Sequence, residues 1–112
     1  MPILSYLLFV LASGADREAF ERDLQGMLEL AKSQPGYRWT EMGRDPFDPR
    51  RYVIVSEWDT VDQVRAWEHH LDHEVVIERW EDRYAEPFVH RRFVPWIRPE
   101  TTAQESEEAV QG

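Results

Sequence analysis

Residues 3–11 read Ile-Leu-Ser-Tyr-Leu-Leu-Phe-Val-Leu, apolar at both parities of a two-residue period. Tyr, Phe and Val favour extended backbone, and the run is short for a helix. It predicts a strand with both faces covered. Ser13-Gly14-Ala15-Asp16 then supplies a helix start, where a short polar side chain bonds the free N–H groups of the first turn. Phe20, Leu24, Met27, Leu28 and Ala31 follow at helical spacing, with Arg17, Glu21, Arg22 and Glu29 on the outer side. Gln34-Pro35-Gly36 ends that helix. Tyr37 to Gly43 alternates in the manner of a strand, and Asp45-Pro46-Phe47-Asp48-Pro49 is turn chemistry. Arg51 to Trp58 is the next strand, with Tyr52, Ile54, Ser56 and Trp58 on one face and Val53 and Val55 on the other.

Asp59-Thr60 opens a second helix carrying Val61, Val64 and Trp67, and a break falls at His69-His70-Leu71-Asp72. Val76, Trp80 and Tyr84, at i, i+4 and i+8, predict a third helical piece, and Glu86 to Trp96 a final strand. From Arg98 onward the apolar period is lost and the chain turns polar and acidic. The pattern predicts one domain over residues 1–97 and a flexible acidic tail over 98–112. Strand–helix–strand, given twice, is the split βαβ order of a ferredoxin-like α+β fold: a four-stranded antiparallel sheet with its helices on one face. The first and third strands are apolar on their second face as well. Left wet, that face would exceed the apolar patch a monomer tolerates. The expected remedy is a homodimer packed sheet on sheet, with an enclosed pocket between each sheet and its own helices.

Composition narrows the chemistry. The chain has 112 residues, no cysteine and a net charge of -9, from 13 Lys+Arg against 22 Asp+Glu. The acid excess argues against nucleic acid and anionic lipid, whose phosphates need a basic footprint. Without cysteine there is no thiolate nucleophile, iron–sulfur cluster or Cys-bound zinc. Lys32 is the one lysine, so amine chemistry has a single candidate. No apolar stretch is long enough to cross a membrane, and the start of the chain lacks the basic region of a signal peptide. A cytoplasmic protein is expected.

The stretch from Arg51 to Trp67, then His73, then Tyr84-Ala-Glu-Pro-Phe-Val-His-Arg-Arg-Phe93, resembles the antibiotic biosynthesis monooxygenase family. Shared features are a strand ending in Glu-Trp, an acidic turn, a helix bearing a Trp, a His six residues later, and a Tyr-bearing helix end before the last strand. The resemblance implies a dimeric α/β barrel. In one branch of the family it implies oxygenation of phenolic or quinol substrates by O₂ without a cofactor; a second branch binds and degrades haem.

The monooxygenase branch uses a Trp at the end of the third strand, which Trp58 matches. It also uses asparagines, one of them four residues before that Trp. Here that position is Ile54, and the chain contains no asparagine. The haem branch places its iron ligand ten residues after the helix Trp, which falls on Ile77, a residue unable to ligate iron. No cofactor and no metal are therefore expected, although His69, His70 and His73 lie close in sequence. The catalytic candidates are Trp58, His73 and His90. Trp58 serves either as a pocket donor or as a core aromatic. His73 serves either as a base or as a helix-start residue packed on Trp67. His90 and Arg92 share one face of the last strand, where they either hold an anionic oxygen or form an ion pair with a Glu of a helix or of the other subunit. Tyr6, Tyr37 and Ser56 are candidate orienting groups, and Trp67 and Trp80 candidate walls for a flat aromatic ligand. The reading is a homodimeric, cofactor-independent oxygenase acting on a small aromatic molecule. The alternative is a non-catalytic binding or assembly protein on the same fold.

Overall fold

The computed structural model describes residues 1–70 and 78–98. β1 (Ile3–Val10), α1 (Arg17–Lys32), β2 (Tyr37–Arg44), β3 (Arg51–Trp58), α2 (Val61–Glu68) and β4 (Val89–Phe93) follow in order. The four strands form one sheet in the order β2-β3-β1-β4, every neighbouring pair antiparallel. This is the predicted ferredoxin-like arrangement.

Each helix starts where a capping residue is available. Asp16 Oδ1 accepts from the Ala19 N–H at 3.1 Å, and the Thr60 hydroxyl accepts from the Gln63 N–H at 3.2 Å. Past the end of α1 the chain reverses at Gly36, whose φ is +83° and whose carbonyl accepts the Asp59 N–H at 2.9 Å. A Cβ there would lie 2.0 Å from Gln63 Oε1, so both backbone angle and space require glycine. Between β2 and β3, Asp45 Oδ1 accepts the N–H groups of Phe47 and Asp48 at 2.8 and 3.2 Å, closing the predicted turn.

Alternation along the strands sorts their side chains. Ile3, Leu7 and Phe9 of β1 and Tyr52, Ile54 and Trp58 of β3 are buried together with Phe20, Leu24, Met27 and Ala31 of α1 and Val64 and Trp67 of α2. Both helices thus cover one face of the sheet, driven by burial of these side chains. Leu4, Leu8, Val53 and Val55 occupy the opposite face and are only half-buried, with Tyr6, Trp39 and Phe93 exposed on it.

Two elements end earlier than their spacing predicts. The helical pattern does not run through Tyr84: a 3₁₀ turn spans Glu81–Arg83, and Tyr84 is extended. The end of β1 explains this. The Ala12 N–H needs the Arg83 carbonyl (2.8 Å) and the Val10 carbonyl needs the Ala85 N–H (2.7 Å), pairings that a helix would forbid. Trp80 and Tyr84 still pack on Phe20, at 5.1 and 6.2 Å between ring centres. The last strand is Val89–Phe93 rather than 86–96, bracketed by Pro87 and Pro95, which have no N–H to give a ladder. Val76, Ile77 and residues 99–112 of the predicted tail lie outside the described residues, while Arg98, its first residue, is bonded to Glu57 of β3.

Candidate functional site

Strand register places four polar side chains side by side across the whole sheet. Thr40 of β2 pairs with Ser56 of β3, Ser56 with Ser5 of β1, and Ser5 with Arg92 of β4. Ser5 and Ser56 are buried at 3% and 7% exposure, beneath the helices and among apolar neighbours. The Trp58 indole N–H, two residues along β3 on the same face, donates to Ser56 Oγ at 3.0 Å. Trp58 itself is fully buried. It stacks on Trp67 of α2 at 5.7 Å and 23°, with Tyr37 edge-on at 5.6 Å. His70 lies beyond Trp67, at 6.2 Å.

At the β4 end of this row stands an ionic cluster. His90 Nε2 is 2.8 Å from Glu68 Oε2 and 3.3 Å from Ser5 Oγ. Arg92 donates to the same carboxylate twice, through Nε at 2.7 Å and through Nη2. Burial pushes His90 below the usual imidazole range and the Arg92 charge adds to this, while Glu68 acts in the opposite direction. A neutral imidazole at physiological pH is able to accept a proton.

Beside the Trp58–Trp67 stack the space between sheet and helices is smaller than the sequence leads one to expect, and the larger opening on that side, about 290 Å³, is a groove between α1 and β2 lined by Glu21, Leu24, Met42, Arg44 and Tyr52. The cavity bordered by Leu7, Met27, Thr40, Ser56, Trp58 and Trp67 measures about 10 Å³, close to the room of a single water. One lining group is unsatisfied: Thr40 Oγ1 is buried and makes no hydrogen bond among the described residues, nor does His70 Nδ1.

Of the predicted site residues, Trp58, Ser56, Tyr37, Trp67, His90 and Arg92 gather on the helix face of the sheet. Tyr6 does not join them, because its parity on β1 sends it to the opposite face. Trp80 sits with Phe20 elsewhere in the core; its N–H donates to Asp23 Oδ2 at 2.7 Å and Arg83 lies over its ring. His73 lies outside the described residues. Among the described residues, no group of three or more His, Asp or Glu is placed to hold a metal ion, and no helix is long and apolar enough to cross a membrane. The partner Glu foreseen for His90 and Arg92 is Glu68, the last residue of α2. Thr40 was not anticipated; its shared parity with Met42 was the available signal.

Glu57 is a second unanticipated group. It sits on the opposite face at 2% exposure. Arg98 grips it with two bonds, at 2.7 and 2.9 Å, Arg38 adds one at 2.8 Å and the Trp39 indole N–H another at 3.1 Å. The Arg98 bonds above all, then those of Arg38 and Trp39, lower its pKa to about 2 against the opposing effect of burial.

Comparison with known proteins agrees with the fold. The chain superimposes on the Mycobacterium tuberculosis protein Rv0793 with a TM-score of 0.79, at 12% identity over 88% of this chain and 98% of that one. SnoaB, a cofactor-independent oxygenase from Streptomyces nogalater, gives 0.76 at 14% identity over 87% and 95%. The uncharacterised protein YqjZ of Bacillus subtilis (strain 168) is 35% identical over 63 residues, which are 53% of this chain and 54% of YqjZ. The match thus spans about half the length of that relative. The family model for antibiotic biosynthesis monooxygenases matches residues 9–76, a span that runs from β1 through both helices and takes in Thr40, Ser56, Trp58, Trp67 and Glu68. The chain belongs to the antibiotic biosynthesis monooxygenase family.

Proposed function

We propose that the protein is a cofactor-independent monooxygenase that oxidises a small phenolic or quinol molecule, of the kind found in polyketides, between its sheet and helices. The observation that carries this reading is the Thr40 hydroxyl, without a partner among the described residues and buried on the same cavity as Ser56 and the Trp58 indole. A buried hydroxyl without a partner costs about 1–3 kcal/mol, and a ligand oxygen entering there recovers it. His90 serves as the proton acceptor. Once the substrate O–H bond breaks and its proton passes to imidazole, the electron-rich anion reduces O₂. A C–O bond forms at a ring carbon as its C–H bond and the O–O bond break; one oxygen atom becomes a quinone carbonyl, and the other leaves as water with the phenolic and ring protons, both electron pairs coming from the substrate. Fixed donors in a dry site favour the anion. The cavity must widen for this.

The same reading includes a homodimer. The open face of the sheet carries Leu4, Tyr6, Leu8, Val53, Val55 and Phe93, and Trp96 and Ile97 stand 92% and 81% exposed just after β4. A second copy laid sheet to sheet removes this surface from water. The reading further places the protein in the cytoplasm and the domain end near residue 97.

The second reading, binding without turnover, is favoured by the closed cavity and by the absence of asparagine. Oxygen consumption with hydroquinones and anthrones separates the two. The oxygenase reading expects uptake, reduced by about 10²-fold in Trp58→Phe, the loss typical of one missing donor to a developing anion. Tight phenol binding without uptake supports the binding protein instead, and uptake indifferent to the substitution removes Trp58 from the chemistry.

A further inference from the structure

His90, Glu68, Ser5 and Arg92 form a cluster whose geometry says more than that a base is present. Both oxygens facing His90 approach the same ring nitrogen: Glu68 Oε2 at 2.8 Å and Ser5 Oγ at 3.3 Å, each measured to Nε2. A neutral imidazole has one N–H and one lone pair. A lone pair on Nε2 would point at a carboxylate oxygen, which is repulsive; an N–H there makes a charge-assisted hydrogen bond. The carboxylate is held in place by two bonds from Arg92 and is mostly buried, its side chain 11% exposed. Among the described residues, the charged groups facing His90 are Glu68 from α2 and, opposing it with the smaller effect, Arg92 from β4, with the neutral hydroxyl of Ser5 from β1. Arg91 reaches only the His90 carbonyl, at 3.4 Å.

We propose that Glu68 is a positioning residue that keeps the proton of His90 on Nε2, so that Nδ1 is the ring nitrogen that accepts the substrate proton. The inference rests on the oxygenase reading for its functional half. Ser5, facing an N–H, keeps its own hydrogen to donate, and so serves to orient a substrate oxygen. Ser5 is no nucleophile: activation of a serine needs it and the carboxylate on opposite ring nitrogens, and here they share one. When the substrate O–H bond breaks and an N–H bond forms at Nδ1, the resulting imidazolium already has Glu68 beside Nε2, so the new charge appears where a counter-charge waits.

The test is nitrogen-resolved NMR of His90 in the ligand-free protein, followed through a pH titration in wild type and Glu68→Gln. Wild type is expected to show the Nε2–H tautomer. Loss of the carboxylate leaves Arg92 uncompensated beside the ring, and His90 in Glu68→Gln is expected to titrate lower by about one pH unit or more. Glu68→Asp, which keeps the charge, should restore most of the difference. The acidic limb of an oxygen-uptake profile, where protonation of the base shuts the reaction off, should move in the same direction. An Nδ1–H tautomer in wild type overturns the proposal even if the variants fail to fold, and so does a His90 titration that Glu68→Gln leaves in place. These signals need no turnover. Their presence in a protein that consumes no oxygen sinks the oxygenase reading and leaves the role of Glu68 toward His90 standing.

Discussion

Replacing Glu57 by glutamine removes a buried negative charge that three side chains converge on, and its effect follows from the geometry. In the folded chain the Glu57 carboxyl titrates at about 2, against an ordinary value of 4.5. That gap, about 2.5 pH units at ~1.4 kcal/mol each, amounts to about 3.5 kcal/mol as an upper bound. Arg38 and Arg98 are themselves 46% and 39% exposed, so water and salt screen the pair, and about 1–2 kcal/mol is the realistic contribution. The sign follows from the direction. Because folding depresses this pKa, the stabilisation is complete above about 4.5 and is lost as pH falls towards 2. The assay is urea unfolding at a series of pH values from 7 to 2.5, at fixed protein concentration because association also shifts the transition. Glu57→Gln is expected to be less stable at pH 7 by that amount, with the difference from wild type shrinking below pH 4.5. A difference that stays constant across the series would show that the carboxylate's ionisation is not what holds Arg98 and the chain end to the sheet, and the reasoning would fail.

Thr40→Val exchanges an unpaired buried hydroxyl for a methyl group of similar size; unfolding midpoints should stay equal or rise by up to about 1 kcal/mol, while phenol affinity measured by calorimetry falls. Phe20→Ala empties the point where Phe9, Tyr52, Trp80 and Tyr84 meet; denaturation should show a loss of about 3–5 kcal/mol, and a smaller loss would mean that this aromatic cluster collapses around the gap.

The strands were legible because their parity is local. β3 alternates so cleanly that Ser56 and Trp58 fall on one face before any neighbour is known. The ends of elements were less so. Tyr84 continues a helical spacing, yet the backbone at the end of β1 draws Tyr84 into an extended bridge with Leu11 that nothing near Tyr84 announces. The site divides in the same way. Trp58, Ser56, Tyr37 and Trp67 cluster because strand parity and the helix stripe bring them to one face, and both are visible in the sequence. Tyr6 was assigned by residue type, and parity places it on the opposite face. Glu68 and Thr40 depend on register between elements far apart in the chain: α2 must end beside β4, and β2 must pair with β3 across a bulge between Tyr37 and Trp39. Glu57 depends on Arg98, a residue beyond the apolar pattern altogether.

The two faces of the sheet treat buried polar groups in opposite ways, and the contrast helps to separate scaffold from site. On the open face Glu57 is saturated: both carboxylate oxygens are bonded, by two guanidinium groups and an indole N–H. A group so fully satisfied has nothing left to offer a ligand, and its function is to tie the segment after β4 to the end of β3. On the helix face the polar row is incomplete. Trp58 reaches Ser56, and His90 reaches Glu68 and Ser5, but Thr40 Oγ1 and, at the edge of the stacked rings, His70 Nδ1 have no bond among the described residues. An apolar side chain at position 40 would spare that cost, so a purely structural layer has no use for the hydroxyl. A layer that is finished only when a ligand brings further donors and acceptors does have a use for it, and this asymmetry is the physical reason for proposing a ligand site beneath the helices and association on the open side.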